Sequence, residues 1–267
     1  MKGVALVTGA ASGIGRAVAH VFVLEGCTRL VLSDLNGDGL NTVAEELKGL
    51  DSAVQTCLVT CDVSNELDVE RMVAEGVKAF GAIHYCVNNA GIPSSPKLRT
   101  HELEVESFDR VQAINLRGVW ICQRAELRQM LKQGLDLQPR SRTPPQRGAI
   151  VNMSSIFAQA AHPRCVAYVA TKAGVVGLSR CDAIAYGRDG IRVNSVLPGA
   201  VKTPLIEEQL KLGTYSEEGP SNAVPIGRWA DPAEIAEVVV FLCSEKASYV
   251  NGVDVLIDGG AVHKSQW

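Results

Sequence analysis

Short apolar runs alternate along this chain with longer stretches whose apolar residues recur every three or four positions. The first run, Val4-Ala5-Leu6-Val7, is continuous and ends at a glycine turn, which predicts a strand covered on both faces. A helical pattern follows from Ile14 to about Glu25. Leu30-Val31-Leu32 predicts a second strand ending at Ser33-Asp34, residues 37–49 a second helix, and Val54 to Val59 a third strand ending at Cys61-Asp62-Val63. Residues 65–80 are helical in pattern. Ile83 to Val87 predicts a fourth strand that runs into Asn88-Asn89-Ala90-Gly91, and a long helix spans roughly Glu104 to Lys132. A fifth strand, Ala149 to Met153, leads into Ser154-Ser155, and a helix covers about Cys165 to Arg188. Ile191 to Val196 and Val253 to Ile257 complete the set. This alternation predicts an α/β fold with a seven-stranded parallel sheet, helices on both faces and right-handed crossovers.

Two segments break the rhythm. Residues 133–147 are polar and proline-rich and predict a surface insertion. Residues 203–228 hold an amphipathic stretch from Pro204 to Leu212, then Gly213, Gly219, Pro220 and Pro225, and read as a lid. After it, Asp231-Pro232-Ala233-Glu234 starts a helix, with Asp as N-cap, Pro at the first helical position and Glu completing a capping box.

With 267 residues, 46% of them hydrophobic, the chain is long enough for one large core, so residues 1–267 are read as a single domain. The net charge of −3 and the lack of any basic run argue against nucleic acid as a partner. The apolar N-terminal run is interrupted by glycines, Ser12 and Arg16, so it reads as neither a signal peptide nor a membrane span. The eight cysteines form no C-x-x-C pair and are expected to be reduced and mostly buried, as in a cytoplasmic protein. The five histidines have no metal-ligand spacing, and no metal is expected.

Candidate chemistry sits at the strand ends. Gly9, Gly13 and Gly15 mark the first strand-to-helix turn, and with Ser12 and Ile14 they would bring backbone N–H groups and a positive helix end to a pyrophosphate. Their spacing is G-x-x-x-G-x-G, and alone it describes an ordinary turn as well as a dinucleotide site; its place between a buried strand and a helix favours the nucleotide. Asp34 ends the second strand, 19 residues after Gly15. A carboxylate there can accept the adenosine ribose hydroxyls and repels a 2′-phosphate, which favours NAD over NADP; a plain turn residue before Asn36-Gly37 is the competing reading.

Tyr168 and Lys172 are one helical turn apart, so phenol and ammonium share a face. The cation favours the phenolate and makes proton transfer accessible near neutral pH. Ser155 lies thirteen residues upstream. Asn115 falls inside the long helix, where it either distorts the helix by binding a main-chain carbonyl or water, and so relays protons to Lys172, or simply faces solvent.

Taken together, Thr8-Gly9-Ala10-Ala11-Ser12-Gly13-Ile14-Gly15, Asp62-Val63, Asn88-Asn89-Ala90-Gly91, Asn115, Ser155, Tyr168-x-x-x-Lys172, Pro198-Gly199-Ala200-Val201-Lys202-Thr203 and Asp258-Gly259-Gly260 resemble the short-chain dehydrogenase/reductase family along nearly the whole chain. The resemblance implies a doubly wound Rossmann-type domain, NAD(P)-dependent hydride transfer and assembly as a homotetramer or homodimer. It implies that Asp62 takes the adenine amino group and Val63 packs on the ring, and that Asn89, Ala90 and Gly91 line the adenosine-ribose side. Val201 and Thr203 would hold the carboxamide, and Lys172 would also bind the nicotinamide ribose beside Tyr168. Ser155 is favoured over Ser154 by the family's serine-to-tyrosine spacing.

Specificity is expected from Ile92 to Leu98, Ile156 to Val166 and the lid; few charges are expected close to the pocket, with His162 and Arg164 as exceptions. His162 reads as a loop residue. An apolar pocket suits a bulky secondary alcohol or ketone of terpenoid, polyketide or steroid-like type, in specialised metabolism. The alternatives are a ketone reductase using NADPH and a catalytically idle nucleotide-sensing protein.

Overall fold

The computed structural model describes residues 1–135, 137, 144–211 and 224–263. Its strands are β1 (Ala5–Thr8), β2 (Arg29–Asp34), β3 (Gln55–Thr60), β4 (Tyr85–Asn88), β5 (Gly148–Met153), β6 (Ile191–Pro198) and β7 (Asp254–Ile257). They form one parallel sheet in the order β3-β2-β1-β4-β5-β6-β7. The helices are α1 (Gly13–Leu24), α2 (Gly37–Leu50), α3 (Glu66–Phe80), α4 (Val105–Gln112), α5 (Val119–Met130), α6 (Val166–Tyr186), α7 (Pro204–Lys211) and α8 (Pro232–Cys243). The observed ends fall within two residues of those expected from the sequence.

Alternate strand residues feed two cores. Ala5, Val7, Leu30, Leu32, Val87 and Val151 pack with α1, α2 and α8 on one face. Val4, Leu6, Val31, Cys86 and Ile150 pack with α3 and α5 on the other. The strand order reverses at β1, between β2 and β4, and in open α/β sheets that switch point opens a crevice at the carboxyl ends of the strands.

The expected long helix is not uniform. Residues Ala113–Gly118, between α4 and α5, form a π-helical segment, a wider turn that admits one extra residue. The expected cap at Asp231 is present: its side chain accepts from Ala233 N–H at 2.8 Å, and Glu234 accepts from Asp231 N–H at 2.8 Å. Of the segments set apart by sequence, α7 covers the start of the lid, and Leu137 and Gln146 form an antiparallel bridge inside the insertion. Residues 136, 138–143 and 212–223 of these segments lie outside the described residues.

The sheet register lines up polar residues near the carboxyl edge. Ser33, Thr8, Asn88, Asn152 and Ser195 are direct neighbours across β2, β1, β4, β5 and β6, and all five are buried. Asn88 Nδ2 donates to Asn152 Oδ1 at 3.0 Å and to Glu126 Oε2 at 3.1 Å. Asn152 Nδ2 donates to Gln123 Oε1 and to Ser179 Oγ. This network ties α5 and α6 to the middle of the sheet. Glu126 is fully buried, and burial pushes its carboxyl up to about 8, with the Asn88 bond opposing. Glu126 Oε1 and Asn88 Oδ1 are buried acceptors without a donor among the described residues, so a proton on Glu126 removes one unmatched acceptor.

Arg192 on β6 fills a comparable structural place at the other side of the sheet. It is buried and donates to the carbonyls of Leu242, Cys243, Ser244 and Val250, closing the C-terminus of α8.

The folded chain binds a proton on Glu126 that the unfolded chain releases from about pH 4.5, so this group costs stability progressively between pH 4.5 and about 8. Glu126→Gln is therefore expected to raise the melting temperature more at pH 9 than at pH 5, measured by thermal scans of both proteins. An equal shift at the two pH values would place an ordinary carboxyl there.

Candidate active site

The candidate groups converge beyond the carboxyl ends of β4 and β5. Buried residues on α6 recur as Ala167, Thr171, Lys172, Val175, Val176, Ser179 and Ala183, which places Lys172 on the inward stripe. Lys172 is buried, and its Nζ donates to Met153 O at 2.8 Å. The same Nζ lies 5.4 Å from the centroid of the Tyr168 ring. Burial lowers the Lys172 ammonium to about 8.

Ser154 and Ser155 follow β5 directly. Ser154 Oγ donates to Lys172 O at 2.7 Å, so this hydroxyl braces the helix from the strand end. Ser155 Oγ accepts from Phe157 N–H at 3.2 Å. Phe157 stands edge-on to Tyr168 with ring centroids 6.2 Å apart, and His162 packs edge-on to Phe157 at 5.9 Å. His162 is exposed, and its Nδ1 accepts from Arg164 N–H at 3.3 Å, which makes it a loop brace.

Asn115 sits within the π-helical segment and is fully buried, which excludes the solvent-facing reading. Its Oδ1 accepts from Ile92 N–H at 2.8 Å, and its Nδ2 donates to Ile92 O at 2.7 Å. The expected bond to a main-chain carbonyl thus exists, made to the loop after β4. Gly91 passes between Asn115 and Lys172: a Cβ there would sit 3.1 Å from Asn115 Oδ1 and 3.6 Å from Lys172 Nζ.

The glycine turn has the shape of an anion cradle. Ser12 caps α1 with extended backbone and no side-chain cap bond, and the first internal helix bond runs from Arg16 N–H to Ser12 O. The amides of Gly13, Ile14 and Gly15 therefore precede the helix's own bonding. Gly9 has φ +66°, and a Cβ on Gly15 would lie 2.0 Å from Gly9 O, so neither position takes a side chain. Thr203 at the start of the lid approaches Gly13, with its Cγ2 3.4 Å from where a Cβ would be. Val201 is buried and bridges Ala230 in parallel.

Asn89 locks this turn: its Nδ2 donates to Thr8 O and Gly9 O at 3.1 Å each. Thr8 Oγ1 in turn accepts from Asn89 N–H and Ala90 N–H at 3.1 and 3.2 Å. Thr8 was not singled out as a site residue by sequence, although its place just before Gly9 is a usable signal. Asp34 Oδ2 accepts from Ala11 N–H and Oδ1 from Asn36 N–H, each at 3.0 Å. The carboxylate is thereby aimed, with lone pairs to spare for a diol. Asp62 Oδ1 accepts from both the N–H and the Oγ–H of Ser64. Val63 is buried in the second core, with its Cγ2 3.1 Å from where a Cβ on Gly118 would be. Uncapped amides, glycines that exclude Cβ atoms and an oriented carboxylate fit a dinucleotide. Among the described residues there is no cluster able to hold a metal.

A family model described as enoyl-(acyl carrier protein) reductase matches residues 9–262. A cis-4-hydroxycyclohexanecarboxylate dehydrogenase from Sinomonas cyclohexanicum is 39% identical over 259 residues, covering 96% of this chain and 95% of that protein. A D-threitol dehydrogenase from Mycolicibacterium smegmatis is 38% identical over 262 residues, covering 96% and 92%. The crystal structure of a levodione reductase superposes with a TM-score of 0.89 at 36% identity, covering 98% of both chains. The chain belongs to the short-chain dehydrogenase/reductase family. It is an oxidoreductase of that family, whose members use NAD(P) and act on alcohols and ketones.

In a short-chain dehydrogenase/reductase the bound nicotinamide takes or gives the hydride, and the protein is left to orient it and manage one proton. Here the Tyr168 phenol is a group of the kind that can exchange such a proton, the Ser155 hydroxyl stands at the end of β5, and the Lys172 ammonium lies beside the phenol ring. No helix among the described residues is long and apolar enough to cross a membrane. The cysteines are free, six of them buried, with Cys57 half-buried and Cys181 exposed.

The buried Lys172 carries a stability cost with a definite pH sign. Its charged form is penalised in the fold, so below about pH 8 the full cost is present, and it fades as pH rises to 10.5, where the unfolded chain also loses the proton. Lys172→Met is expected to raise the melting temperature of the ligand-free protein most below pH 8, with the gain shrinking towards pH 10.5. A gain that grew with pH would contradict this.

Proposed function

We propose that this protein uses NAD to oxidise a bulky, predominantly apolar secondary alcohol to a ketone, with Tyr168 as the proton-transfer group, Ser155 positioning the substrate oxygen, and Lys172 and Asn115 supporting them. The observation that carries the reading is the gathering of Asn115 and Lys172 about Gly91 with Tyr168 beside Lys172, on the sheet edge where β5 ends at Ser155 and β1 leads into the uncapped start of α1. An idle nucleotide sensor could use Lys172 for the ribose, but nothing would require Ser155, Tyr168 and Lys172 together.

NAD is supported by Asp34, whose carboxylate is fixed by Ala11 and Asn36 where a 2′-phosphate would have to sit, and by Leu35 beside it, which is exposed and uncharged. The cofactor-binding set of this reading is Gly9, Ser12, Gly13, Ile14, Gly15, Asp34, Asp62, Val63, Asn89, Ala90, Gly91, Tyr168, Lys172, Val201 and Thr203. The apolar character of the substrate is supported by Phe157 against Tyr168, and a ring alcohol by the cyclohexane ring in one relative's name. Self-association as a homotetramer or homodimer is supported by Trp120, Leu131 and Ile184, which leave apolar surface exposed on and beside α5 and α6. A cytoplasmic location belongs to the same reading.

Three measurements test it. Secondary alcohols, starting with ring alcohols, are offered with NAD or NADP while the reduced cofactor's absorbance is followed; turnover is expected to be faster with NAD. Tyr168→Phe should remove turnover and leave cofactor affinity within about threefold, because only one phenolic oxygen is lost and the other cofactor-binding residues remain. Asp34→Ala should weaken NAD and narrow the gap to NADP. A native preference for NADP would overturn the Asp34 argument.

A further inference from the structure

Helix α6 begins without a cap of its own. Its N-cap residue, Cys165, makes no side-chain cap bond, and the first internal helix bond runs from Val169 N–H to Cys165 O at 2.9 Å. Tyr168 occupies the third helical position, whose amide is ordinarily taken by the N-cap side chain. That amide instead donates to Ser94 Oγ at 3.2 Å, from a segment 74 residues away in sequence. Ser94 is itself buried.

The segment that carries Ser94 is held firmly. Two residues earlier, both polar main-chain groups of Ile92 are bonded to Asn115, at 2.8 and 2.7 Å. Pro93 lies between, with its backbone φ restricted by the ring. Lys97, further along the same loop, is close enough to Cys165 for its charge to act on the thiol against the effect of burial. The loop therefore runs as a strap from the π-helical segment to the first turn of α6.

We propose that Ser94 is a positioning residue that caps α6 from outside the helix and so fixes Tyr168 relative to Ser155, joining Asn115 and Tyr168 through the strap Ile92–Pro93–Ser94. The proposal rests on the reading of Tyr168 as the proton-transfer group. Anchoring the amide fixes the Cα of Tyr168, while Phe157 limits the ring from one side. The same loop is one of the segments expected to contact substrate, so contacts made there bear on the placement of the tyrosine. The bond of Ser94 is to the Tyr168 amide, and cofactor affinity is not expected to depend on it.

The test compares the full-length native protein with Ser94→Ala and Ser94→Thr. Loss of a cap and a small displacement of the tyrosine together predict a fall in kcat of about fivefold to tenfold in Ser94→Ala. The KM for the alcohol and the Kd for the cofactor should stay within about twofold, the pattern of an interaction that matters at the transition state and not in binding. Amide exchange in residues 166–169 should quicken by about fivefold or more, the same cap read without any substrate. Ser94→Thr keeps the hydroxyl and should restore both readouts. Unchanged exchange in Ser94→Ala, a loss confined to KM, or failure of threonine to rescue would each overturn the proposal. If the native protein oxidises no alcohol with either cofactor, the redox reading falls by itself, and the exchange data still decide whether Ser94 caps the helix.

Discussion

Parallel pairing is the constraint on which the rest of this structure depends. Because every strand runs the same way, every strand ends on the same edge, and the chemistry-bearing residues after β1, β2, β4 and β5 become neighbours despite being far apart in sequence. The same register sets Ser33, Thr8, Asn88, Asn152 and Ser195 side by side beneath that edge. A buried polar row costs free energy unless its groups find one another, so it restricts which helix faces can cover it. Gln123, Glu126 and Ser179 are the answer of α5 and α6 to that demand.

Two buried ionisable groups bracket this edge, and burial acts on both in the direction of neutrality. Glu126 is raised to about 8 and Lys172 lowered to about 8. Near neutral pH the acid therefore holds its proton and the amine is still charged. The acid is locked into a network that faces the helices, while the ammonium is held by a main-chain carbonyl next to the phenol. One environment thus keeps a spare charge out of the core and a useful charge in the crevice.

Most of the architecture was legible because it is written in short-range patterns. Continuous apolar runs gave the strands, recurrence every three or four residues gave the helices, and Asp231-Pro232-Ala233-Glu234 announced its own cap. The family resemblance rests on the residues at strand ends, where local sequence and spatial position coincide. What escaped depends on contacts between distant segments. Ser94 is an unremarkable serine until α6 is seen to lack a cap. Glu126 looks like a surface charge on a helix until Asn88 is found beneath it.

The wide turn at Ala113–Gly118 has a consequence for how this chain tolerates change in length. A straight α-helix advances about 100° per residue, so the extra residue sets the two halves out of phase by roughly that angle. Asn115 can then point at Ile92 while Gln123 and Glu126, two and three turns later, still meet the sheet. Removing one residue here would straighten the rod and force a choice between the loop and the polar row. Such a deletion, trivial on a solvent-exposed helix, would at this place disconnect the crevice from its foundation.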